Sequence, residues 1–206
     1  MRKEPFIGIS RLRLKTDGQG VTTLVAFHGC PLHCKYCLNP QCLRDDGKHL
    51  MFNEEEVLRI LKKDELYFLA TRGGVTFGGG EPLLKADFIR NVLELGAKEW
   101  HTTLETSLNV PTSNIEKLFP YIDEYIVDIK DINSQTYKSY TGVDNNQVII
   151  NIKWLIAHGK MDNIICRIPL ILGFNTIGSQ IESREFLRKL GIHRFDLFEY
   201  KTEIKK

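Results

Sequence analysis

The sequence predicts an α/β fold in which six parallel β-strands alternate with α-helices. Short apolar runs alternate with longer amphipathic segments, polar residues follow directly after the apolar runs, and the 206 residues are 42% hydrophobic. A chain of this length and composition can bury one sizeable core, so we expect a single domain, residues 1–206. The arrangement is either an open doubly wound sheet or an incomplete barrel of six β/α units.

Six apolar runs are predicted to be strands because they are short, apolar and bounded by turn-forming residues. In chain order they are residues 22–27, 74–77, 102–106, 124–129, 163–171 and 194–200. Buried runs that are separated by helices indicate parallel pairing through right-handed crossovers. The segment before them, residues 6–14, is predicted to add an edge strand or hairpin as an N-terminal β extension.

The segments between these runs are predicted to be helices from their apolar periodicity. They are residues 53–63, 86–97, 113–119, 133–140, 146–159 and 179–191. Asn53 is followed three residues later by Glu56, and Ser113 by Glu116, so we predict a capping box at the start of each of these two helices.

Composition and charge bear on which partners and which location we expect. The 28 basic and 26 acidic residues give a net charge of +2 and, apart from Lys205 and Lys206, are dispersed, so no nucleic-acid partner is expected. The sequence has neither an apolar run of 18 residues nor a signal-peptide cleavage site, and we expect a cytoplasmic protein that does not bind membranes. Five cysteines in such a chain indicate metal or redox chemistry rather than disulfides.

Three cysteines, Cys30, Cys34 and Cys37, follow the first predicted strand at the spacing C-x3-C-x2-C. Three thiolates at this spacing suit a soft metal. One interpretation is a structural zinc site, with Cys42 or His33 as the fourth ligand. The other is an iron–sulfur cluster, which normally takes four cysteines and with three leaves one iron open to a substrate or cofactor.

The remaining two cysteines are not expected to bind a cluster. Cys42 follows Cys37 by five residues, has no partner at a known spacing, and is interpreted as a bystander thiol. Cys166 lies within a predicted strand and is expected to pack as a small apolar residue.

Polar residues occur at or after five further predicted strands, where parallel α/β sheets bind ligands. They are Gly78–Pro82 (GGGEP), Glu105 and Thr106, Asp128 and Lys130, Arg167, and Glu199–Lys201. Because these strand ends share an edge with the cysteine loop, we predict one composite site. Alternation along the strand sends Asp128 and Lys130 to the same side, which fits a shared ligand.

The stretch CPLHCKYC resembles the cluster motif of radical S-adenosylmethionine (SAM) enzymes. The longer stretch DGQGVTTLVAFHGCPLHCKYCLNP resembles the N-terminal signature of glycyl-radical-enzyme activating enzymes, the pyruvate formate-lyase activase group. VTFGGGEPLL, LETS, VDIK and RIPLILGFN fall where that group has its later motifs. The resemblance covers nearly the whole chain and implies a partial (β/α)6 barrel.

The resemblance implies two cofactors, a [4Fe-4S] cluster and SAM. Cys30, Cys34 and Cys37 would bind three irons and form the catalytic centre, and the amino and carboxylate groups of SAM would chelate the fourth iron. One electron from the reduced cluster would cleave a carbon–sulfur bond of SAM. The resulting 5′-deoxyadenosyl radical would abstract a hydrogen atom.

The resemblance also implies that residues after the first two strands contact SAM. Tyr36 would lie against the adenine; the alternative is an ordinary exposed aromatic residue. Gly79, Gly80 and Glu81 would meet the methionine amino group, since glycine lets the backbone come close and a carboxylate pairs with an ammonium. The alternative for the glycines is a simple turn.

Residues after the later strands complete the implied site. Asp128 and Lys130 would hold the ribose and carboxylate end of SAM. Arg167 is a further candidate for that carboxylate, with a surface ion pair as the alternative. Glu105, Thr106 and Asp128 would form a small monovalent-cation site beside SAM, at which the activase group has Asp in place of Glu105.

The implied function is an oxidoreductase that installs a glycyl radical on a partner enzyme under anaerobic conditions. Its partners would be that enzyme, or another protein or peptide substrate, and a flavodoxin- or ferredoxin-type electron donor. One alternative is radical SAM chemistry on a ribosomal peptide or a small molecule. A second is a metal-stabilised redox or binding module without catalysis.

Besides Glu105, the sequence departs from the activase group at two further places. Where the group usually has Asp-Gly-Pro-Gly, this chain has Asp17-Gly18-Gln19-Gly20. Where the group usually has an Arg shortly after that turn, this chain has Thr22. We expect this turn beside the mouth of the site, with Asp17 accepting amide hydrogens from a partner's glycine loop; the alternative is a simple hairpin turn. The group often has a C-terminal Pro-Tyr-His that contacts SAM, where this chain has Glu199-Tyr200-Lys201. The sequence leaves open whether Lys201 replaces the His at the SAM site.

One spare cysteine between Cys37 and Gly78 is too few for a ferredoxin module, and this indicates the compact, single-cluster type.

Overall fold

The structure, a computed structural model, describes residues 3–14, 17–96 and 98–200. Lys201, Lys205 and Lys206 lie outside the described residues. The strands within the described part are β1 (Glu4–Leu14), β2 (Val21–Phe27), β3 (Leu50–Phe52), β4 (Gly74–Gly79), β5 (His101–Thr106), β6 (Glu124–Asp128), β7 (Ile164–Leu170) and β8 (Arg194–Glu199).

Seven α-helices occur within the described residues. They are α1 (Glu54–Lys62), α2 (Glu65–Thr71), α3 (Ala86–Gly96), α4 (Thr112–Leu118), α5 (Ser134–Thr141), α6 (Asn146–Ala157) and α7 (Ile177–Lys189). No helix in this part of the chain has a stretch long and apolar enough to cross a membrane.

The sheet confirms the predicted α/β class. Its strand order is β3-β1-β2-β4-β5-β6-β7-β8, and it is mostly parallel and not closed. The pairs β2–β4, β4–β5 and β7–β8 are parallel, whereas β1 pairs antiparallel with both β2 and β3. The six predicted strands are therefore present, and β1 is the predicted N-terminal extension.

The capping predictions had opposite outcomes. At α1, Asn53 Oδ1 accepts from the Glu56 amide and Glu56 Oε2 accepts from the Asn53 amide, both at 2.9 Å, so this capping box is confirmed. At α4 the prediction is wrong, because the helix begins at Thr112 after Pro111 and no side chain caps it there. Ser113 already lies inside the first turn, where it cannot act as the N-cap.

Two elements were not predicted. β3 has three residues and α2 has seven. Three residues are too few to show an alternating pattern. α2 follows α1 after a two-residue break, and its exposed Leu66, Tyr67 and Leu69 obscure the apolar periodicity that marks a helix.

The described residues fall into two compact units. Unit 1 comprises the residues up to Cys30, Asn39–Thr106 and Pro111–Tyr125. Unit 2 comprises Pro31–Leu38, Ser107–Val110 and the residues from Ile126 onward.

The core of unit 1 is a group of phenylalanine rings. Phe6 of β1 lies 4.7 Å from Phe27 of β2 and 5.6 Å from Phe88 of α3, measured between ring centroids. Phe27 in turn lies 6.2 Å from Phe77 of β4. All four side chains are almost fully buried, so they fix the strands whose ends carry the polar residues of this unit.

Candidate active site

In unit 1, the Gly-Gly-Glu loop follows β4 and is bonded to the segment that follows β2. The Gly80 amide donates to the Phe27 carbonyl at 2.9 Å, and the Glu81 amide donates to the Gly29 carbonyl at 2.8 Å. These two bonds hold the loop directly beside the chain that leads to Cys30.

The two glycines of this loop are required by contacts within the chain itself. A Cβ atom at Gly80 would lie 2.2 Å from the Gly29 carbonyl oxygen, which no side chain can tolerate. Gly79 has a φ of +92°, and a Cβ there would lie 2.7 Å from that of Ala26. Packing thus explains the glycines without a ligand, and their contact with SAM stays a prediction.

Glu81 and Thr106, two residues of the predicted site, are hydrogen-bonded to each other. Glu81 is 1% exposed, and its Oε1 accepts from the Thr106 hydroxyl at 2.6 Å and from the Leu83 amide at 3.2 Å. The carboxylate is therefore fixed in position at the ends of β4 and β5. Glu105 is half-buried, and a Cβ at Gly78 would lie 3.0 Å from its Oε2.

Asn39 is a residue of this loop system that the sequence reasoning missed. Its side-chain amide donates to the Gly79 carbonyl at 3.1 Å, where it supports the end of β4. The only signal in the sequence is an Asn-Pro pair after the cysteine motif, which indicates a turn but no specific contact.

In unit 2, the cysteine loop is fastened to the end of α5. The His33 amide donates to the Thr141 carbonyl at 2.8 Å, and the Lys35 amide donates to the Tyr140 carbonyl at 3.1 Å. The last carbonyls of a helix have no partner within the helix. Here the two amides that flank Cys34 supply partners and thereby fix this cysteine.

The thiols differ in their surroundings. Burial raises the pKa of Cys34, and the nearby Lys130 ammonium partly opposes this rise. Cys30 and Cys37 are half-buried, whereas Cys42 is 1% and Cys166 0% exposed. Burial raises the pKa of Cys166 to about 12, as expected of a packed residue.

All five cysteines lie in the described residues, and none forms a disulfide there. Within residues 3–14, 17–96 and 98–200, no three His, Cys, Asp or Glu side chains lie together as a metal site. The assignment of three thiols to a cluster therefore stays a prediction. As a donor set, three thiols without disulfides fit iron–sulfur chemistry.

Asp128 is held between two cations in unit 2. Arg167 Nε lies 2.7 Å from Asp128 Oδ1, and Lys130 Nζ lies 3.0 Å from Asp128 Oδ2. Burial opposes ionisation of this carboxyl, but the attraction of Lys130 and Arg167 outweighs it and lowers the pKa of Asp128 to about 2.

This ion-pair group bears on two predictions, the surface ion pair of Arg167 and the monovalent-cation site at Asp128. The Arg167 side chain is 20% exposed, so its ion pair is partly buried rather than on the surface. Both oxygens of Asp128 already face a cation, so a monovalent ion bound by Asp128 would have to compete with Lys130 and Arg167. The cation site with Glu105 and Thr106 stays a prediction.

Tyr36 is half-buried within an aromatic group rather than openly exposed. Its ring centroid lies 5.7 Å from that of Phe174 and 6.1 Å from that of Tyr140, and Tyr140 lies 6.3 Å from Tyr200. Cys34 packs against the same group. Tyr140 was missed because an aromatic residue in a short helix does not reveal what its ring contacts.

The turn at Asp17 differs from expectation. Asp17 is 6% exposed, and its two carboxylate oxygens accept from the Arg13 guanidinium, so they are not open to a partner's amides. Its carbonyl accepts from the Thr76 hydroxyl in the middle of β4. Gly20 packs against Gly73, the residue just before β4. The expected position at the mouth of the site, after the strands, is therefore wrong.

These features define an α/β protein with loops after its parallel strands that carry three thiols, a buried carboxylate and an ion-pair group. The Radical SAM superfamily model matches residues 24–178 of the chain, which therefore belongs to this superfamily. Membership implies a [4Fe-4S] cluster and SAM as cofactors.

One relative is the (2S)-3-sulfopropanediol dehydratase activating enzyme of Klebsiella oxytoca. It is 36% identical over 81% of this chain and 71% of the relative. A solved domain of a pyruvate-formate lyase-activating enzyme from Bacteroides vulgatus is 29% identical with a TM-score of 0.54, over 65% of this chain and 86% of that domain.

The fold is also similar to that of SuiB from Streptococcus suis in its SAM-bound structure. The identity is 23% and the TM-score 0.66, over 88% of this chain. The chain spans only 43% of the SuiB chain in that structure, so this likeness concerns the fold alone.

The contact at Gly80 predicts a stability difference between two glycine variants. We expect Gly80→Ala to lower the free energy of unfolding by about 2 kcal/mol, because its Cβ would overlap the Gly29 carbonyl. Gly8→Ala is the control, since a Cβ at Gly8 meets nothing within 4 Å. Urea denaturation measures both, and equal stability of the two variants would contradict the argument.

The ion pairs of Asp128 predict a pH-dependent effect. The low pKa means that this carboxyl contributes stability above its ordinary pKa, and that the contribution is lost as the pH falls towards 2. We expect Asp128→Asn to lower the free energy of unfolding by about 2 kcal/mol at pH 7, and by less than half of that near pH 2.

Urea denaturation at both pH values tests this expectation. Asp196→Asn on β8 is the control, since Asp196 is exposed, and it should change stability little at either pH. An equal loss for Asp128→Asn at both pH values would show that packing, rather than charge, explains the effect.

Proposed function

We propose that the chain is a radical SAM enzyme that reductively cleaves SAM at a [4Fe-4S] cluster and installs a glycyl radical on a partner enzyme. The observation that carries the proposal is the 36% identity, over four-fifths of the chain, to a protein named as an activating enzyme. The C-x3-C-x2-C loop lies within the part of the chain that matches the superfamily.

In this proposal Cys30, Cys34 and Cys37 bind three irons. The cluster supplies one electron to the sulfonium of SAM when both are bound. The residues of the chain hold the cluster, orient SAM and limit access of water. The two amides that flank Cys34 support this role, because they fix the central cysteine before a metal binds.

The polar residues of unit 1 would bind the amino end of SAM. Glu81 suits an ammonium because it is buried and already accepts from Thr106, so its orientation is set in advance. Gly79 and Gly80 present backbone without side chains at the same loop. Glu105 completes the polar group at the end of β5.

The charged group of unit 2 would bind the carboxylate and ribose. Lys130 Nζ and Arg167 Nε lie 3.0 and 2.7 Å from the two oxygens of Asp128, so two cationic side chains are held where a carboxylate could pair with them. Asp128 is ionised at neutral pH and can accept from a ribose hydroxyl. Tyr36 offers a ring face that is held by Phe174 and Tyr140, which suits an adenine.

The partner enzyme is the finer part of the proposal. A second chemistry, on a ribosomal peptide or a small molecule, shares the same cofactors. The likeness to SuiB does not favour it, because at 23% identity only the fold is comparable. The electron donor would be a small redox protein of flavodoxin or ferredoxin type.

The cysteine assignment is tested by three single variants after anaerobic reconstitution. We expect wild-type protein to bind about four irons, the number in one such cluster. Cys34→Ala should lose the cluster and all SAM cleavage, whereas Cys42→Ala and Cys166→Ala should keep both. Iron analysis and release of 5′-deoxyadenosine with dithionite are the measurements.

Stoichiometric zinc in anaerobically prepared protein, with no iron gained on reconstitution, would contradict the assignment. Loss of the cluster in Cys42→Ala would make Cys42 a ligand and would remove the open iron. The partner is tested by electron paramagnetic resonance (EPR) of the chain mixed with a glycyl radical enzyme, chosen from the neighbourhood of its gene where one is encoded there. No glycyl signal despite SAM cleavage would favour the second chemistry.

A further inference from the structure

The side chain of Asn175, in the loop after β7, makes hydrogen bonds that the proposed function does not explain. Its Oδ1 accepts from the Ile171 amide at 2.6 Å, and its Nδ2 donates to the Pro169 carbonyl at 3.0 Å. It also donates to the Asp131 carboxyl, in the loop after β6. An asparagine amide carries both an acceptor and two donor hydrogens, and Asn175 uses both kinds of group.

Asp131 is a buried carboxyl that ties this side chain to the charged group of unit 2. It is 2% exposed, and its Oδ1 accepts from the Asn133 amide at 2.8 Å. Its carbonyl accepts from the Asn145 side chain at 3.1 Å, so its backbone is fixed as well. A buried carboxyl requires donors, and Asn175 is one of them. Because Asp131 directly follows Lys130, this bond joins the loop after β7 to the loop that carries Lys130.

The loop that Asn175 closes carries Phe174, which packs against Tyr36. The amides of Phe174 and Asn175 both donate to the Ile171 carbonyl, at 3.0 and 3.1 Å, so the loop is a compact turn. The ring centroids of Phe174 and Tyr36 lie 5.7 Å apart. Gly173 has a φ of +82°, and a Cβ there would lie 4.0 Å from the Tyr36 hydroxyl oxygen. The loop therefore sets one side of the space that the Tyr36 ring occupies.

We propose that Asn175 is a positioning residue for SAM, because it fixes the loop of Phe174 and ties that loop to Asp131. These residues all belong to unit 2. The proposal rests on the function proposed above, in which Tyr36 lies against the adenine and Lys130 meets the carboxylate. One side chain then orders the protein at both ends of a single ligand. A site that is ordered in advance loses less conformational freedom on binding, so removal of Asn175 weakens the affinity for SAM.

The test compares two variants at adjacent positions. Asn175→Ala removes the side-chain bonds described above. Thr176→Ala removes the N-cap of α7, where Thr176 Oγ1 accepts from the Ser179 amide at 3.2 Å. Both changes delete a side-chain bond to the backbone, so a general loss of stability would affect both variants. The measurements, on anaerobically reconstituted protein with iron determined in each sample, are the Kd for SAM by equilibrium dialysis and the KM and maximal rate of 5′-deoxyadenosine release with dithionite.

We expect the Kd and the KM for SAM to rise about tenfold in Asn175→Ala, the size of effect that lost hydrogen bonds give. The maximal rate should stay within about twofold of wild type, because the residue orders the site rather than acting on the reacting bond. Thr176→Ala should bind SAM as wild type does. An unchanged Kd in Asn175→Ala would overturn the proposal, and so would an equal rise in both variants.

An exchange of the two side chains tests the link between the loops, and it also serves if Asn175→Ala does not fold. Asn175→Asp keeps the acceptor for the Ile171 amide but places a second carboxyl beside Asp131, so we expect SAM affinity to fall about tenfold or more. Adding Asp131→Asn restores a donor and an acceptor with their positions exchanged, and should return the Kd to within about threefold of wild type. A double variant as weak as Asn175→Asp would overturn the proposal.

The failure of this proposal and that of the proposed function give different results. Wild-type protein that binds a cluster but no SAM would contradict the proposed function. Wild-type protein that binds SAM with the same Kd as Asn175→Ala would overturn only the role of Asn175. Amide hydrogen exchange of the protein without cofactors adds a measurement that needs neither, since exchange of the Ile171 amide should be faster in Asn175→Ala than in wild type. Equal exchange in the two proteins would also overturn the proposal.

Discussion

Backbone hydrogen bonds position two loops of the candidate site, the Gly-Gly-Glu loop and the loop around Cys34. In unit 1 the amides of Gly80 and Glu81 bind carbonyls of the segment before Cys30. In unit 2 the amides on both sides of Cys34 bind the last carbonyls of α5. Loop backbone that leaves water must find such partners, and these bonds fix the loops without any help from a ligand.

Two cations, Lys130 and Arg167, lie beside one carboxylate in unit 2, although the charge of the whole chain is nearly balanced. Lys130 and Arg167 face one carboxylate, and Lys130 also lowers the cost of ionising Cys34. A cluster bound by thiolates and a SAM carboxylate would both add negative charge. One group of three side chains could therefore stabilise both cofactors, and its own ion pairs fix its geometry.

The sequence allowed the strands and the motif residues to be predicted because both leave local patterns. Buried parallel strands are short apolar runs, and Glu81, Asp128 and Arg167 lie in or next to such runs. Tyr140 and Asn39 left no such pattern, because their roles depend on contacts with residues far away in the sequence. The capping box predicted at Ser113 is absent although its sequence pattern is present. The helix begins at Thr112, after Pro111, so Ser113 lies inside the first turn.

The turn at Asp17 shows how a departure from a motif can be offset by a residue outside it. The activase group has an Arg shortly after this turn, where the chain has Thr22, and Thr22 is 1% exposed. The carboxylate of Asp17 nevertheless has a guanidinium, which Arg13 supplies from the preceding strand. A buried carboxylate needs a cation whatever its origin. Asp17 and Arg13 thus form an ion pair that holds the turn in place.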